Sequence, residues 1–238
     1  MATGFASASA GPSAPAPTSS PSPAATPASD GFGAITPIFQ DDFADTPSGW
    51  GVGEEDDGAI DYREGHLRVD LTTPTAGLWS TRLLDGDWEV VQIGGTVQPL
   101  AGAASPRAGY AGFLCAAGQR DYFMGLIDTR GGWVFAEAVD TAITVLERGG
   151  PPPPALSAGT GSRLTMQCAG SETGAVRLRL LVGGEEVGRF EREDGLPRFD
   201  QVGVYGEALD PTFSFTVDGV DVWGGAVFVD PPRPSPQP

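Results

Sequence analysis

The chain has 238 residues, a formal net charge of −17 at pH 7 and a sequence pI of about 4.2. A balance this acidic argues against nucleic acid and anionic membrane surfaces as partners. No run of about 20 apolar residues is present to cross a bilayer, so any membrane attachment would need a tether absent from this chain. All 14 basic residues are Arg, and with no Asn the chain carries no Asn-X-Ser/Thr glycosylation site.

Residues 1–35 are almost entirely Ala, Ser, Pro, Thr and Gly. Such a segment cannot bury enough apolar surface to offset its ordering entropy, and it reads as a disordered linker or stalk. It lacks the basic and apolar regions of a signal peptide. The expectation is therefore an ectodomain of a longer product, or a start further upstream. A Pro-rich tail over 225–238 closes the chain in polyproline-like form.

Between the tails, 36–224 reads as one β domain. Alternating apolar runs predict strands at Ile38–Phe43, Ala59–Arg63, Leu67–Leu71, Gly77–Thr81, Trp88–Val97, Tyr110–Ala116 and Tyr122–Asp128. They continue at Trp133–Val139, Ile143–Arg148, Arg163–Cys168, Val176–Leu181, Glu186–Glu191, Gln201–Tyr205 and Phe213–Val222. Turns such as Arg130-Gly131-Gly132 and Gly183-Gly184-Glu185 suit hairpins that need positive φ. No window shows a sustained helical period. The fold class is all-β, a sandwich of two antiparallel sheets.

Two cysteines, Cys115 and Cys168, fall on core-facing positions of separate strands, beside Ala111 and Phe113 and beside Leu164 and Met166. The pattern alone leaves them either as buried thiols or as a disulfide.

Six stretches carry a family resemblance. They are Phe39-Gln40-Asp41-Asp42-Phe43 with Ser48-Gly49-Trp50, Ala76-Gly77-Leu78-Trp79-Ser80, and Asp121-Tyr122-Phe123 with Gly131-Gly132-Trp133. The others are Leu164-Thr165-Met166-Gln167-Cys168, Gln201-Val202-Gly203-Val204-Tyr205 and Phe213-Ser214-Phe215-Thr216-Val217-Asp218-Gly219-Val220. In this order they resemble the strands of bacterial concanavalin A-like, laminin-G-like jelly-roll domains, over roughly 36–223. The resemblance implies a closing strand paired beside the first. It favours a Cys115–Cys168 bridge, because similar domains carry cysteines at these strand positions. Such a bridge implies an oxidising compartment. Where many such modules have Asp-Asn-Phe in the last strand, this chain has Asp218-Gly219-Val220, so no role of that amide is carried over.

Glycan-hydrolysing members place carboxylates on one strand as Glu-x-Asp-x-Glu or its bulged form, which sets a nucleophile and an acid on one face. Neither pattern is present. Glu137 and Asp140 are spaced to opposite faces of a strand, and His66, the single histidine, has no partnered nucleophile and reads as solvent-facing. The reading is a non-catalytic member that needs no cofactor.

Two places leave room for a structural Ca²⁺. One is the acidic run Glu54-Glu55-Asp56-Asp57 with Asp61, which also reads as a solvated loop. The other is the junction of first and last strands, where Asp41 or Asp42 would approach Asp218 or Asp221, with Asp42 and Asp218 the expected ligands. For sugar recognition, Tyr122, Asp128, Arg130 and Trp133 cluster around one predicted hairpin and offer aromatic faces with polar flanks. Against this, Trp133 and Phe123 also suit a core, and Trp50 and Trp79 read as core or edge-covering. The functional expectation is a recognition or adhesion module, extracellular or on a cell surface, whose partner is a glycan or a cell-surface protein. A structural or protein-interaction ectodomain and a glycan hydrolase are the alternatives.

Overall fold

The computed structural model describes residues 32–44, 48–100, 109–118, 121–140, 142–150, 156, 159–170, 175–193, 198–210 and 212–226. The expected linker, apart from 32–35, and the expected tail, apart from 225–226, lie outside these residues. The described residues form fifteen strands in two antiparallel sheets.

The larger sheet has nine strands. Its order is β13 (Glu185–Arg192), β12 (Val176–Val182), β11 (Ser162–Gly170), β6 (Val90–Pro99), β15 (Phe213–Gly225), β4 (His66–Leu71), β3 (Gly58–Arg63) and β2 (Gly53–Glu55). The long β15 lies against β6 along one edge. Its other edge is shared: the first half pairs with β4, and the second half with β1 (Ile35–Asp41). First and last strands are thus neighbours, from Ile35 opposite Gly225 to Asp41 opposite Val220. The smaller sheet has the order β10 (Ala142–Gly149), β9 (Trp133–Val139), β8 (Asp121–Asp128), β7 (Gly109–Ala117), β14 (Phe199–Ala208) and β5 (Gly77–Trp88).

Period-2 patterning sets which side chains enter the core. On β4, Leu67, Val69 and Leu71 are buried while His66, Arg68 and Asp70 stay partly exposed. On β12, Val176, Leu178 and Leu180 point inward, and Arg177 and Arg179 form ion pairs with Glu191 and Glu186 on the other face. The β12–β13 hairpin turns through Gly183 and Gly184, with φ of 60° and 89°, a conformation that L side chains adopt only at a cost. Between the sheets lie Phe113, Phe123, Phe135, Phe199, Phe213 and Phe215, all fully buried.

The two sheets are joined covalently. Cys115 on β7 and Cys168 on β11 form a disulfide with a Cα–Cα distance of 6.5 Å, linking the middle of one sheet to the middle of the other. At the open edge between β10 and β13, Trp133 acts as a wedge. A Cβ added at Gly149 or Gly188 would come within 2.3 Å or 2.8 Å of its indole, so only glycine fits on either side.

Two departures from the sequence reading concern strand limits. β2 was not anticipated, because Gly53-Glu54-Glu55 is wholly exposed and shows no alternation. Trp88 closes β5 instead of opening β6, because β5 continues past its apolar part through Asp85, Gly86 and Asp87 to pair Trp88 with Phe199.

Candidate functional site

Antiparallel register lines up side chains across the outer face of the six-stranded sheet. One row runs Trp79, Tyr205, Gly112, Leu126, Val134, Arg148. A second runs Leu83, Gln201, Ala116, Tyr122, Ala138, Ile143, and a third places Glu207, Tyr110 and Asp128 side by side. Trp79 is half exposed, with its ring centroid 6.2 Å from that of Tyr122. Beneath these groups Leu114, Ala116, Met124, Leu126, Val134 and Ala136 form an apolar floor separate from the core between the sheets. A groove of about 180 Å³ crosses this floor, with Tyr110, Tyr205 and Glu207 at one end and Ile143, Val145 and Arg148 at the other.

The polar groups of the face feel this apolar setting. Burial raises the Glu207 carboxyl above its usual value, since the charged form loses hydration there. Burial, and then the charge of Glu207, raises the Tyr205 phenol well above its ordinary range. The Tyr122 phenol is raised by burial first and then by Asp121 and Asp200. Tyr205 and Tyr122 therefore stay neutral hydrogen-bonding groups at any physiological pH.

The expected sugar-binding set is divided between the two faces. Tyr122 and Asp128 share the parity of Met124 and Leu126 and lie on the outer face. Trp133 lies on the inner side, where its ring packs against Phe135 with centroids 5.5 Å apart; Phe123 is fully buried. Asp128 is itself buried, and its Oδ1 accepts the backbone N–H groups of Arg130 at 2.7 Å and Gly132 at 2.8 Å. That carboxylate organises the β8–β9 turn. Arg130 is half exposed, 3.7 Å from Asp128 Oδ2. Trp79, expected to be core or edge-covering, instead supplies the exposed aromatic surface, whereas Trp50 is buried as expected.

The acidic motif at the start of the domain is likewise structural. Asp41 is buried and accepts three donors at 2.9 Å: the Phe43 N–H, the Trp50 Nε1–H and the Arg82 guanidinium. This clamp holds Phe43 buried in a left-handed conformation with φ of 56°. The expected cation ligands are apart in role: Asp42 Oδ1 accepts the Ala44 N–H, while the half-exposed Asp218 faces His66 Nδ1 at 3.7 Å. Asp221 is paired with Arg163 and accepts the Trp223 Nε1–H. Glu54, Glu55, Asp56 and Asp57 are exposed around the β2–β3 turn, and Asp61 pairs with Arg63. Among the described residues, no group of three or more His, Cys, Asp or Glu side chains converges.

On the four central strands, β14, β7, β8 and β9, the carboxylates at regularly paired positions of the outer face are Glu207 and Asp128, while Asp200, at the irregular start of β14, accepts the Gly118 N–H and acts on Tyr122. Glu137 has the other parity and pairs with Arg192 across the sandwich edge.

No protein-family model matches the chain, and no curated protein sequence matches it. Solved structures do. The CBM2 module of the Lactobacillus casei BL23 phage J-1 evolved Dit superposes with a TM-score of 0.52 at 14% identity, covering 83% of this chain and 98% of that one. A lichenase, a β-1,3-1,4-glucanase derived from a mouse hindgut metagenome, gives 0.54 at 13%, covering 77% and 97%. The Emp47p carbohydrate recognition domain gives 0.52 at 14%, covering 81% and 97%. The fold is the concanavalin A-like jelly roll. At these identities the likeness establishes architecture, and the chemistry of this jelly roll has to be argued from its own side chains.

Proposed function

We propose that this jelly roll is a non-catalytic recognition module that presents the outer face of its six-stranded sheet to a glycan. The observation that carries the reading is the half-exposed Trp79 leaning toward Tyr122, with the Tyr205, Tyr110 and Glu207 groups beside them. The CH face of a pyranose stacks on flat aromatic rings, while its hydroxyls need donors and acceptors at the ring edges. Tyr122 keeps its expected role in this site, and Trp79 takes the stacking role expected of Trp133. Arg130, half exposed in the adjoining turn, supplies a further polar contact. Two of the proteins that share the fold, the CBM2 module and the Emp47p domain, are sugar-recognition domains, which supports the reading by analogy. The disulfide suits an extracellular or cell-surface location.

The lichenase shares the fold as well, so the case against catalysis rests on the carboxylates. A retaining glycosidase needs two carboxyl groups about 5 Å apart, one to attack and one to donate a proton. Glu207 and Asp128 lie two strands apart, about 10 Å by strand spacing, and Asp128 Oδ1 is committed to turn amides. Glu207 therefore has no second carboxyl beside it to serve as its partner.

A glycan array followed by calorimetry on the best hit tests the reading. Binding without product, weakened at least about tenfold by Trp79→Ala, is expected. Absence of glycan binding would defeat the proposal, as would release of reducing sugar that Glu207→Gln abolishes. Capture of a cell-surface protein through the same face, with no glycan bound, would favour the protein-interaction alternative.

A further inference from the structure

The half of the same face that runs from β7 to β10 is built differently from the aromatic half. Its floor is Met124, Leu126, Val134 and Ala136, and its far rim is Ile143 and Val145, half exposed on an edge strand. The large hydrophobic side chains left exposed among the described residues are Val52, Trp79, Leu83, Val139, Ile143 and Val145. Trp79, Leu83, Ile143 and Val145 all fall on this one face by register. A solvated antiparallel sheet ordinarily turns polar residues outward, so an apolar outer face marks a surface meant to be covered.

At the β10 end stands Arg148, exposed and without an ion pair among the described residues. Most other arginines of the described sheets are matched to a carboxylate, as Arg63, Arg68, Arg82, Arg163 and Arg177 are. A chain of net charge −17 that leaves a guanidinium unclaimed over an apolar groove offers an anion its one attractive point there. Glu207 stands at the opposite end of the groove from Arg148, away from the place an anionic head would take. The run from β14 to β10 crosses four strand spacings, about 19 Å. A sugar laid there would leave hydroxyls unpartnered over Met124 and Leu126, a costly arrangement, whereas an alkyl chain has none to satisfy.

We infer that the β7–β10 half of the face binds an acyl chain with an anionic head group. The tail lies over Met124, Leu126 and Ala136, and the head sits at Arg148. This site lies beside the Trp79–Tyr122 surface and does not depend on the glycan reading.

Calorimetric titration of the full chain with sodium decanoate and with 1-decanol, both below the concentration at which they aggregate, tests the inference. Decanoate binds one to one, and more tightly than decanol. Arg148→Ala weakens decanoate by about tenfold, because a charge-assisted contact is lost, while Arg148→Lys retains most of the affinity. Ile143→Glu, at an exposed position that tolerates a polar side chain, abolishes binding by placing a negative charge on the rim. Trp79→Ala leaves decanoate affinity unchanged, which separates this site from the glycan surface. Failure of the wild-type chain to bind decanoate overturns the inference. So does equal affinity for decanol, or an Arg148→Ala variant that binds as the parent does.

Discussion

Trp79 and Tyr122 stand on strands separated by two others, yet their ring centroids lie 6.2 Å apart at a tilt of 46°. The intervening strands permit this because Gly203 on β14 and Ala116 on β7 lie between them by register. The rings converge above the sheet and form an aromatic surface that no single strand could supply.

Trp79 and Trp133 should therefore respond oppositely to truncation. Trp133→Ala empties the wedge between Gly149 and Gly188 and should cost about 3 kcal/mol of stability, with glycan affinity kept in the fraction that stays folded. Trp79→Ala should change stability by less than about 0.5 kcal/mol and lose glycan binding. Urea denaturation paired with calorimetry reads both quantities. A Trp79→Ala protein as destabilised as Trp133→Ala would show that Trp79 serves packing.

The disulfide closes a sequence separation of 53. Chain entropy then gives about 4 kcal/mol of stabilisation. Reduction, or the double change Cys115→Ala with Cys168→Ala, should lower the urea midpoint by a corresponding amount. Alkylation of the unfolded chain without reductant should modify neither cysteine; modification of both would show that the bridge does not form in solution.

Asp41→Ala removes the acceptor for Arg82, the Trp50 indole and the Phe43 amide together. Leaving these buried donors unmatched should cost about 3 kcal/mol. Proteolysis should then cut first near Phe43–Trp50, which mass mapping of early fragments would reveal. Unchanged stability would mean that the loop is held by its aromatic contacts alone.

Much of this architecture is legible in the amino-acid order, and the limits of that legibility are physical. Strands with one wet face, such as Val176–Val182, declare themselves because Arg177 and Arg179 alternate with aliphatic residues. β8 does not, since Tyr122, Met124 and Leu126 on one side are as apolar as Phe123 and Ile127 on the other. Period 2 separates the two sets without saying which one is the core. Tyr122 and Trp133 consequently look like partners at one hairpin although the sheet lies between them. The same two-sided apolarity, repeated in Val134, Phe135 and Ala136 of β9, is the signal from which the outer groove could have been anticipated. Trp79 is harder to foresee, because its exposure depends on β5 being an edge strand.

Two carboxyls should give opposite pH signatures. Burial raises Glu207, so the folded chain ionises it less readily than the unfolded chain. Its contribution to stability is greatest below the ordinary carboxylate range and declines as pH rises through its folded value. Glu207→Gln should remove that decline. Asp70 is pushed up by burial, but hydrogen bonds from Arg68 and Ser214 outweigh this and leave its carboxyl below the usual value. Its contribution is full above the ordinary carboxylate value and is lost as pH falls toward the lowered one. Thermal unfolding of the parent, Glu207→Gln and Asp70→Asn chains between about pH 3 and pH 8 would display both slopes. A Glu207→Gln profile parallel to the parent's would contradict the first.

β1 begins opposite the end of β15, with Ile35 facing Gly225. Both ends of the domain therefore leave the sandwich at one point. Tension applied between them would fall first on that end of the sheet and peel β1 from β15 one rung at a time, like a zipper, while β6 holds the other edge of β15. The disulfided centre would feel the load only after β1 had come away and β15 had been drawn from β6. Anchored by one end alone, the domain would hang as a pendant with both sheets unloaded and its aromatic face free to meet a ligand.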